Sequence, residues 1–414
     1  MRNKKIYDII KMVIIMKLIE RKNYLNKLKN VVGTPDIKVI TGVKRSGKSK
    51  LLESFIQYLQ SNDSNANIIH INFNQSQYED LTNYKELEKY IESKYLKNKN
   101  NYLFIDEIQM CTLFEKAINS LHASEKYDIY ITGSNAFLLS SDLATLFTGR
   151  TFEIHIFPFS FSEFKEYYSI EDIDTAFDHY VYEGGMSGSY VYQTSEEKYL
   201  YISSIYKTLI VRDLIKKYRI RNKSLIEYLS NYLIDNIANI TSIRNISNTL
   251  NKNHFETNNK TISSYVNYLC NAYAFYKVPR YDIKGKKYLS SSDKYYLSDH
   301  SFKYAILGTK NMDYGRVYEN IVALELLRRG YEIYVGYLYK KEIDFVAIKR
   351  DEKIYIQVAD DLSNEKTFKR ETEPLLSIKD AYPKIIIART KHPETIYEGI
   401  KIYDIARWLV ISQF

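Results

Sequence analysis

The chain has 414 residues, of which 45% are hydrophobic and 26% are charged. These values are those of an ordinary globular protein rather than a disordered or fibrous chain, and the length allows about two to four domains. The net charge of +9 is spread along the whole chain, so it permits nucleic-acid binding without indicating a binding surface.

The N-terminus and the cysteines indicate a cytoplasmic protein. Residues 1–20 have a basic start and an apolar patch, but Asp8 and Lys11 interrupt the patch and no small-residue cleavage site follows. We therefore predict an N-terminal arm rather than a signal peptide or a membrane span. Cys111 and Cys270 lie far apart and near no other metal-ligand residues, so we interpret them as reduced core thiols and predict no zinc site.

A glycine-rich loop follows the first predicted strand, residues 37–41. The next eight residues, GVKRSGKS, match G-x-x-x-x-G-K-[ST] in full, and the segment after them places its apolar residues on one face of a helix. Strand, loop and helix together favour a phosphate-binding loop over a glycine turn without function. The candidate nucleotide-binding residues are Gly42, Val43, Lys44, Arg45, Ser46, Gly47, Lys48 and Ser49.

The chemistry of such a loop predicts ATP and Mg²⁺ as cofactors. Backbone N–H groups of the loop and of the helix N-terminus would surround the phosphates. Lys48 would reach the β- and γ-phosphates, and Ser49 would supply an oxygen ligand to Mg²⁺.

A second motif ends the third predicted strand, NYLFIDEIQM, where the apolar residues run straight into Asp106 and Glu107. Asp106 can hold the magnesium ion, and Glu107 is placed to polarise the attacking water. An apolar run that ends in Asp-Glu is common where a strand meets solvent, but its position behind a phosphate loop favours function. After the fourth strand, either Ser134 or Asn135 could contact the γ-phosphate; we choose Asn135, and a helix cap is the alternative.

The chain resembles the AAA-type P-loop ATPases of archaea and bacteria that carry a C-terminal domain of unknown function. The stretches TGVKRSGKS, FIDEIQ, ITGSNAFLL, TGR…FPFSFSEF and YEGGMSG recur in that family in this order, and the resemblance runs from about residue 20 to the end. In related ATPases an arginine at the position of Arg150 acts across a subunit boundary, which predicts a homo-oligomer. A surface arginine paired with Asp142 or Glu153 is the alternative.

We predict an α/β fold in four parts after the arm. The AAA-type P-loop core with its parallel sheet would occupy residues 21–165, and a helical lid 166–240. A winged helix would follow at 241–310, and a restriction-endonuclease-like α/β domain at 311–414.

The winged-helix prediction rests on two helix-like segments, TSIRNISNTLNK and NNKTISSYVNYLCNAY, followed by two short strands around the sequence KGKK. Lys284, Lys286 and Lys287 of that turn would contact DNA phosphates. A winged helix that contacts a protein partner, or that serves as a lid, is the alternative.

The C-terminal region carries acidic residues in the order of restriction-type nucleases. Glu319 lies on a segment that we interpret as an amphipathic helix, and Asp344 and Gln357 lie on the predicted strands 342–348 and 353–359. Cleavage of a phosphodiester needs an acid at the position of Gln357 and a lysine at that of Ala359. We therefore predict an inactive, vestigial site on a platform for nucleic acid or a protein partner.

Three functions remain open. The leading hypothesis is an ATP-hydrolysing, DNA-associated ATPase whose nucleotide cycle moves the winged-helix and nuclease-like region. The second is a slow nucleotide-dependent switch or assembly module with a protein partner, and the third is an ATP-licensed nuclease. Glu107 favours the first, because nucleotide binding alone needs no base beside Asp106.

Overall fold

The computed structural model describes residues 18–133, 147, 149–310, 312–339 and 341–411. Most of the predicted N-terminal arm, and the candidate Asn135, lie outside this range. Within it, no helix has the length and apolar character needed to cross a bilayer.

Five parallel strands form the N-terminal sheet. They are β1 Ile37–Gly42, β2 Ala66–Asn72, β3 Asn100–Asp106, β4 Asp128–Thr132 and β5 Thr151–Ile156. Their order in the sheet is β2-β3-β4-β1-β5. All six residues of β1 are buried, as expected for a parallel strand that is covered on both faces. The predicted α/β core with a parallel sheet is confirmed.

Helices cover both faces of this sheet. They are α1 Lys22–Asn30, α2 Lys48–Asn62, α3 Tyr84–Ser93 and α4 Phe114–Ala123. Leu103 of β3 packs in the same core as helices α3 and α4, whereas the next residue, Phe104, packs with α1 and α2. Alternate residues of the strand thus face different helical layers. Because the strands are parallel, their carboxyl ends meet at one edge of the sheet.

A helical region follows β5. Its helices are α5 Phe161–Tyr168, α6 Ile173–Glu183, α7 Ser195–Lys207, α8 Ile215–Tyr218, α9 Lys223–Asp235, α10 Ile243–Lys252 and α11 Asn259–Asn271, with a π-helical segment, Thr208–Leu214, between α7 and α8. Helices α7 and α9–α11 share one core, which also contains Val43 of the phosphate loop. Helix α6 belongs to a different core, together with the C-terminal sheet. The predicted lid at 166–240 is therefore divided between two cores.

A mixed sheet of eight strands forms the C-terminal part. The strands are β6 Phe275–Asp282, β7 Lys287–Leu297, β8 Glu332–Leu338, β9 Lys341–Lys349, β10 Glu352–Ala359, β11 Lys384–Ala388, β12 Thr395–Tyr397 and β13 Ile400–Asp404. Their order is β12-β13-β11-β10-β9-β8-β6-β7. The two strands predicted for the wing are β6 and β7, and β6 pairs in parallel with β8. The boundary predicted at residue 310 thus divides strands that belong to one sheet.

The helices of this part are α12 Ser301–Leu307, α13 Tyr314–Arg328, α14 Glu365–Leu376 and α15 Ile405–Val410. Every residue of α13 from Val317 to Leu326 is buried. The prediction of an amphipathic helix here was wrong, because α13 packs between the sheet and helices α5 and α6 and so has no solvent face in this stretch. Glu319 is therefore buried.

Candidate nucleotide-binding site

Two glycines allow the phosphate loop to make its turns. Gly42 has φ of +143°, and a Cβ at this position would lie 2.2 Å from the carbonyl oxygen of Ile156 on the neighbouring strand. Gly47 has φ of +95° and precedes the first residue of α2. Both positions therefore require glycine, one for space and one for its left-handed backbone.

Lys48 opens helix α2 and is buried. Its Nζ donates to the carbonyl oxygens of Gly42 at 3.0 Å and of Val43 at 3.2 Å. Burial lowers the pKa of Lys48, although the carboxylates of Glu107 and Asp106 act in the opposite direction. Both acceptors of the ammonium are neutral, so charged phosphate oxygens would form stronger hydrogen bonds with it.

Asp106, the last residue of β3, has the free ligand atom that a metal site requires. Its Oδ1 accepts a hydrogen bond from the Thr132 hydroxyl, whereas its Oδ2 is buried without a hydrogen-bond partner in the part of the chain that the structure describes. A buried carboxylate oxygen without a partner is costly, and a bound cation would satisfy it. Asp106 and Ser49 thus fit a Mg²⁺ ion, which when bound would neutralise phosphate charge.

Glu107 follows β3 in a left-handed conformation, with φ of +59°, and its side chain lines the same cavity as Lys48 and Ser49. Its N–H donates to Thr132 Oγ1 at 3.2 Å. Thr132 therefore holds both acidic residues of the motif in place. Sequence reasoning missed this threonine, although its position at the end of β4, directly before Gly133, marks the same edge of the sheet.

The cavity has a volume of about 1290 Å³, which is sufficient for a nucleotide. Lys48, Ser49 and Glu107 line its polar part. Apolar and aromatic side chains line another part, among them Leu18, Val191, Tyr192 and Tyr201. The lining therefore comprises polar groups that can contact phosphates and apolar groups that can pack against a planar base.

Two contacts attach the phosphate loop to the helical region. Lys44 Nζ lies 2.9 Å from the carboxylate of Asp213, which belongs to the π-helical segment. Val43 packs into the core of helices α7 and α9–α11. A conformational change in the loop would therefore change contacts with these helices. Sequence reasoning missed Asp213 as a residue that contacts the phosphate loop.

Arg21 is a third residue of the site that sequence reasoning missed. Its guanidinium donates to the carbonyl oxygens of Ser46 and Phe157, both at 2.9 Å, and to Glu163 Oε1 at 2.8 Å. The side chain is buried, so these bonds fix the back of the phosphate loop against the segment after β5.

The structure does not bring Arg150 into this site. The residue is exposed just before β5, and it is not among the residues that line the cavity. Its backbone bonds to Phe147 and Ile37, and no ion pair of its side chain occurs within the described residues. A role across a subunit boundary remains a prediction.

The three residues of the predicted vestigial nuclease site do lie together. Gln357 Oε1 accepts from the Asp344 N–H at 2.7 Å, and both Asp344 and Glu319 contact Lys294. Gln357 Nε2 also donates to Glu371 at 2.9 Å. Sequence reasoning missed Lys294 and Glu371, which reach the cluster from distant elements.

The three lysines predicted to contact DNA, Lys284, Lys286 and Lys287, lie at the turn between β6 and β7 and are exposed. Tyr288, beside them, is 64% exposed. This turn is the tip of a hairpin that belongs to the eight-stranded sheet.

Two family models match this chain, and several known proteins are similar to it. A family model described as "AAA domain" matches residues 34–165, and one described as "Domain of unknown function (DUF8612)" matches residues 174–313. An "Uncharacterized protein" of Haemophilus influenzae is 38% identical over 399 residues, which cover 95% of this chain and 99% of that protein. "Uncharacterized protein MJ1544" of Methanocaldococcus jannaschii is 32% identical over 352 residues, 81% of this chain and 77% of that protein. Among solved structures, the Walker-type ATPase PABY2304 of Pyrococcus abyssi matches with a TM-score of 0.46 and 14% identity, over 69% of this chain and 95% of that chain.

Fold, site and family models together define an AAA-type P-loop ATPase domain followed by a domain of unknown function. The chain belongs to the family that includes the Haemophilus influenzae and Methanocaldococcus jannaschii proteins. The predicted AAA-type core is thereby confirmed, whereas the winged helix and the nuclease-like interpretation of the C-terminal part stay predictions.

Proposed function

We propose that the chain binds ATP with Mg²⁺ at the phosphate loop and hydrolyses it. The observation that carries this proposal is the buried Oδ2 of Asp106, which has no hydrogen-bond partner among the described residues and lies at the end of β3 beside Glu107. A purely structural carboxylate would have both oxygens satisfied.

The proposed roles follow from the position of each side chain. Lys48 exchanges its two carbonyl partners for phosphate oxygens, and Ser49 and Asp106 hold the magnesium ion. Glu107 lines the cavity and orients the attacking water as a general base. The contacts of Lys44 and Val43 then transmit the state of the loop to the helical region and onward to the C-terminal sheet.

Two substitutions test these roles. We expect Lys48→Ala to abolish both ATP binding and turnover, and Glu107→Gln to retain binding but to lower turnover at least a hundredfold. Lys89→Ala, which removes an exposed lysine of α3, is the matched control and should behave as wild type. If wild type hydrolyses ATP and Glu107→Gln does so equally fast, the assigned base is wrong. If turnover is negligible in wild type as well, the slow nucleotide-dependent switch is favoured.

A second function, association with DNA, is supported by the turn between β6 and β7. Within the described residues, the side-chain ammonium groups of Lys284, Lys286 and Lys287 form no ion pair, so their charges are available to phosphates. Tyr288 beside them could stack on an exposed base.

The test compares two triple variants of equal charge. Replacing Lys284, Lys286 and Lys287 by Gln should weaken retention on DNA and reduce its salt dependence by up to about three phosphate contacts. The control replaces Lys85, Lys89 and Lys97, exposed lysines in or near α3, by Gln. Equal retention of the two variants, or indifference to salt, would favour a protein partner at this turn.

A further inference from the structure

Lys294 places a positive charge at the centre of the acidic cluster in the C-terminal part. The residue belongs to β7, and its side chain is 2% exposed. Its Nζ lies 2.6 Å from Glu319 Oε1, 2.7 Å from Glu342 Oε1 and 3.2 Å from Asp344 Oδ1. Carboxylates of helix α13 and strand β9 thus converge on one ammonium group that comes from a third element.

The ammonium donates hydrogen bonds to Glu319 Oε1 and Asp344 Oδ1, and Glu342 Oε1 lies within ion-pair distance. Burial by itself would lower the pKa of Lys294, but the charges of Glu319, Asp344 and Glu342 outweigh burial and raise the pKa above its ordinary range. Burial raises the pKa of the neighbouring Glu319 to about 8, whereas Lys294 keeps its proton at neutral pH.

Further hydrogen bonds hold the carboxylates in this arrangement. Glu319 Oε1 also accepts from the Tyr296 hydroxyl at 2.6 Å, and Asp344 Oδ2 accepts from the Val358 N–H at 2.9 Å. The oxygens lie 2.6–3.2 Å from the nitrogen, so the ammonium occupies the point on which the three carboxylates converge.

We propose that Lys294 is the resident cation of this cluster, and that its ammonium takes the place of a divalent metal ion and excludes one. A metal that entered would have to displace a charge tethered to β7 and leave it buried without a partner. This inference goes beyond the proposed ATPase function and does not depend on it. It also supports the prediction that the vestigial nuclease site is inactive, in addition to the absence of an acid at Gln357.

The strand that carries Lys294, β7, also contacts the helical region. The neighbour of Lys294, Asp293, exchanges backbone hydrogen bonds with Thr241 at 2.9 Å, and Tyr295 accepts from the Ala238 N–H at 3.1 Å. Strand β7 therefore joins the helical region, through its backbone, to α13 and β9, through Lys294. The cluster therefore links β7, and through it the helical region, to α13 and β9 of the C-terminal part.

Manganese binding in the absence of nucleotide tests the proposal, since Mn²⁺ is a paramagnetic divalent ion. Wild type should have no Mn²⁺ site at Asp344, so Asp344→Asn should leave its Mn²⁺ titration unchanged. In Lys294→Met the uncompensated carboxylates should create a site that binds Mn²⁺ at least tenfold more tightly than any other Mn²⁺ binding of wild type, and Lys294→Met/Asp344→Asn should lose this site. Electron paramagnetic resonance of free Mn²⁺ measures each titration on the full chain.

Lys277→Met is the matched control. Lys277 lies on the adjacent strand β6, is 45% exposed and pairs with Asp293 at 3.0 Å, so its loss should create no Mn²⁺ site. The proposal is overturned if folded Lys294→Met binds no more Mn²⁺ than Lys277→Met. It is also overturned if wild type binds Mn²⁺ at a site that Asp344→Asn abolishes, and this comparison decides the matter even if Lys294→Met does not fold.

Discussion

Gly42 shows how far a single residue constrains the phosphate loop. Its Cβ position overlaps the Ile156 carbonyl oxygen, and that oxygen belongs to a strand of the sheet and cannot move aside. We expect Gly42→Ala to lower the free energy of unfolding by more than about 3 kcal/mol. Gly33→Ala is the control, because Gly33 has φ of +71° but no atom within 4 Å of its Cβ position, and its cost should be about 1 kcal/mol. Urea unfolding measures both values, and equal costs would contradict the overlap.

His155 predicts a pH dependence of stability. It is half-buried on β5, with Nδ1 at 3.0 Å from Thr41 Oγ1 and Nε2 at 2.7 Å from the Tyr276 hydroxyl. Burial, with the nearby charge of Lys48, lowers its pKa to about 3. Because this value lies below the pKa of the unfolded chain, the stabilisation is complete above pH 6.5 and is lost as pH falls toward 3.

Between pH 7.5 and pH 5 this one group should reduce the free energy of unfolding by about 2 kcal/mol. His155→Gln removes the titrating group, so its loss of stability over the same interval should be smaller by that amount. Urea titrations at both pH values measure the difference. Equal losses of stability in the two proteins would show that folding does not hold the His155 imidazole in its neutral form.

Sequence reasoning found the residues of the site that are close together in the chain. The loop and the Asp106-Glu107 pair each follow a strand directly, so their spacing alone reveals them. Arg21, Thr132 and Asp213 reach the site from 25 to 169 residues away in the chain. No local pattern records such contacts, because the packing of the sheet and helices alone brings these residues together.

At the scale of elements, the π-helical segment Thr208–Leu214 is the part of the helical region that touches the phosphate loop. Asp213 places a carboxylate in the cavity and occupies Lys44. Asp213→Asn should therefore tighten ATP binding by roughly threefold to tenfold, or about 1 kcal/mol, because a negative charge leaves the phosphate cavity.

Asp80→Asn, the control for this prediction, removes an equal charge from an exposed position. Calorimetric titration with ATP measures all three proteins. Weaker binding in Asp213→Asn than in Asp80→Asn would show that the ion pair supports the nucleotide-binding conformation instead.

The elements also show where sequence patterns fail. The strands predicted at 37–41, 342–348 and 353–359 lie close to the observed β1, β9 and β10, because apolar runs between polar turns identify them, whereas β11, β12 and β13 were not predicted. Tertiary structure adds two features that no local pattern shows: the two strands predicted for the wing, β6 and β7, belong to the large sheet, and α13 is buried from Val317 to Leu326. The polar residues of α13 imitate a solvent face, but Glu319, Asn320 and Glu325 are buried with hydrogen-bond partners.

At the scale of the whole molecule, one core joins parts that the sequence assigns to different domains. Phe161 and Phe177, from the helices after β5, pack with Val322 of α13 and Ile356 of β10. Arg389 reinforces this junction by pairing with Asp174 of α6 at 2.6 Å. In the neighbouring core, Val43 of the phosphate loop shares a cluster with Phe275 of β6 and Leu297 of β7, and this packing supports the proposed coupling to the C-terminal sheet.

A mixing experiment tests the predicted homo-oligomer. If Arg150 acts across a subunit boundary, Arg150→Ala should lower turnover at least a hundredfold without weakening ATP binding. Mixing Arg150→Ala with Lys48→Ala should then restore part of the activity, since a mixed assembly contains some complete sites. No recovery on mixing, in samples shown to exchange subunits, would contradict action between subunits.

ATP binding by Glu107→Gln tests the central claim most directly, because this variant should hold the nucleotide without consuming it. Isothermal titration should show one ATP per chain at millimolar Mg²⁺, weaker binding when magnesium is chelated, and no binding in Glu107→Gln/Lys48→Ala. Absence of any heat of binding at millimolar Mg²⁺, in a folded protein, would contradict the assignment of the phosphate loop and of the Asp106 metal site.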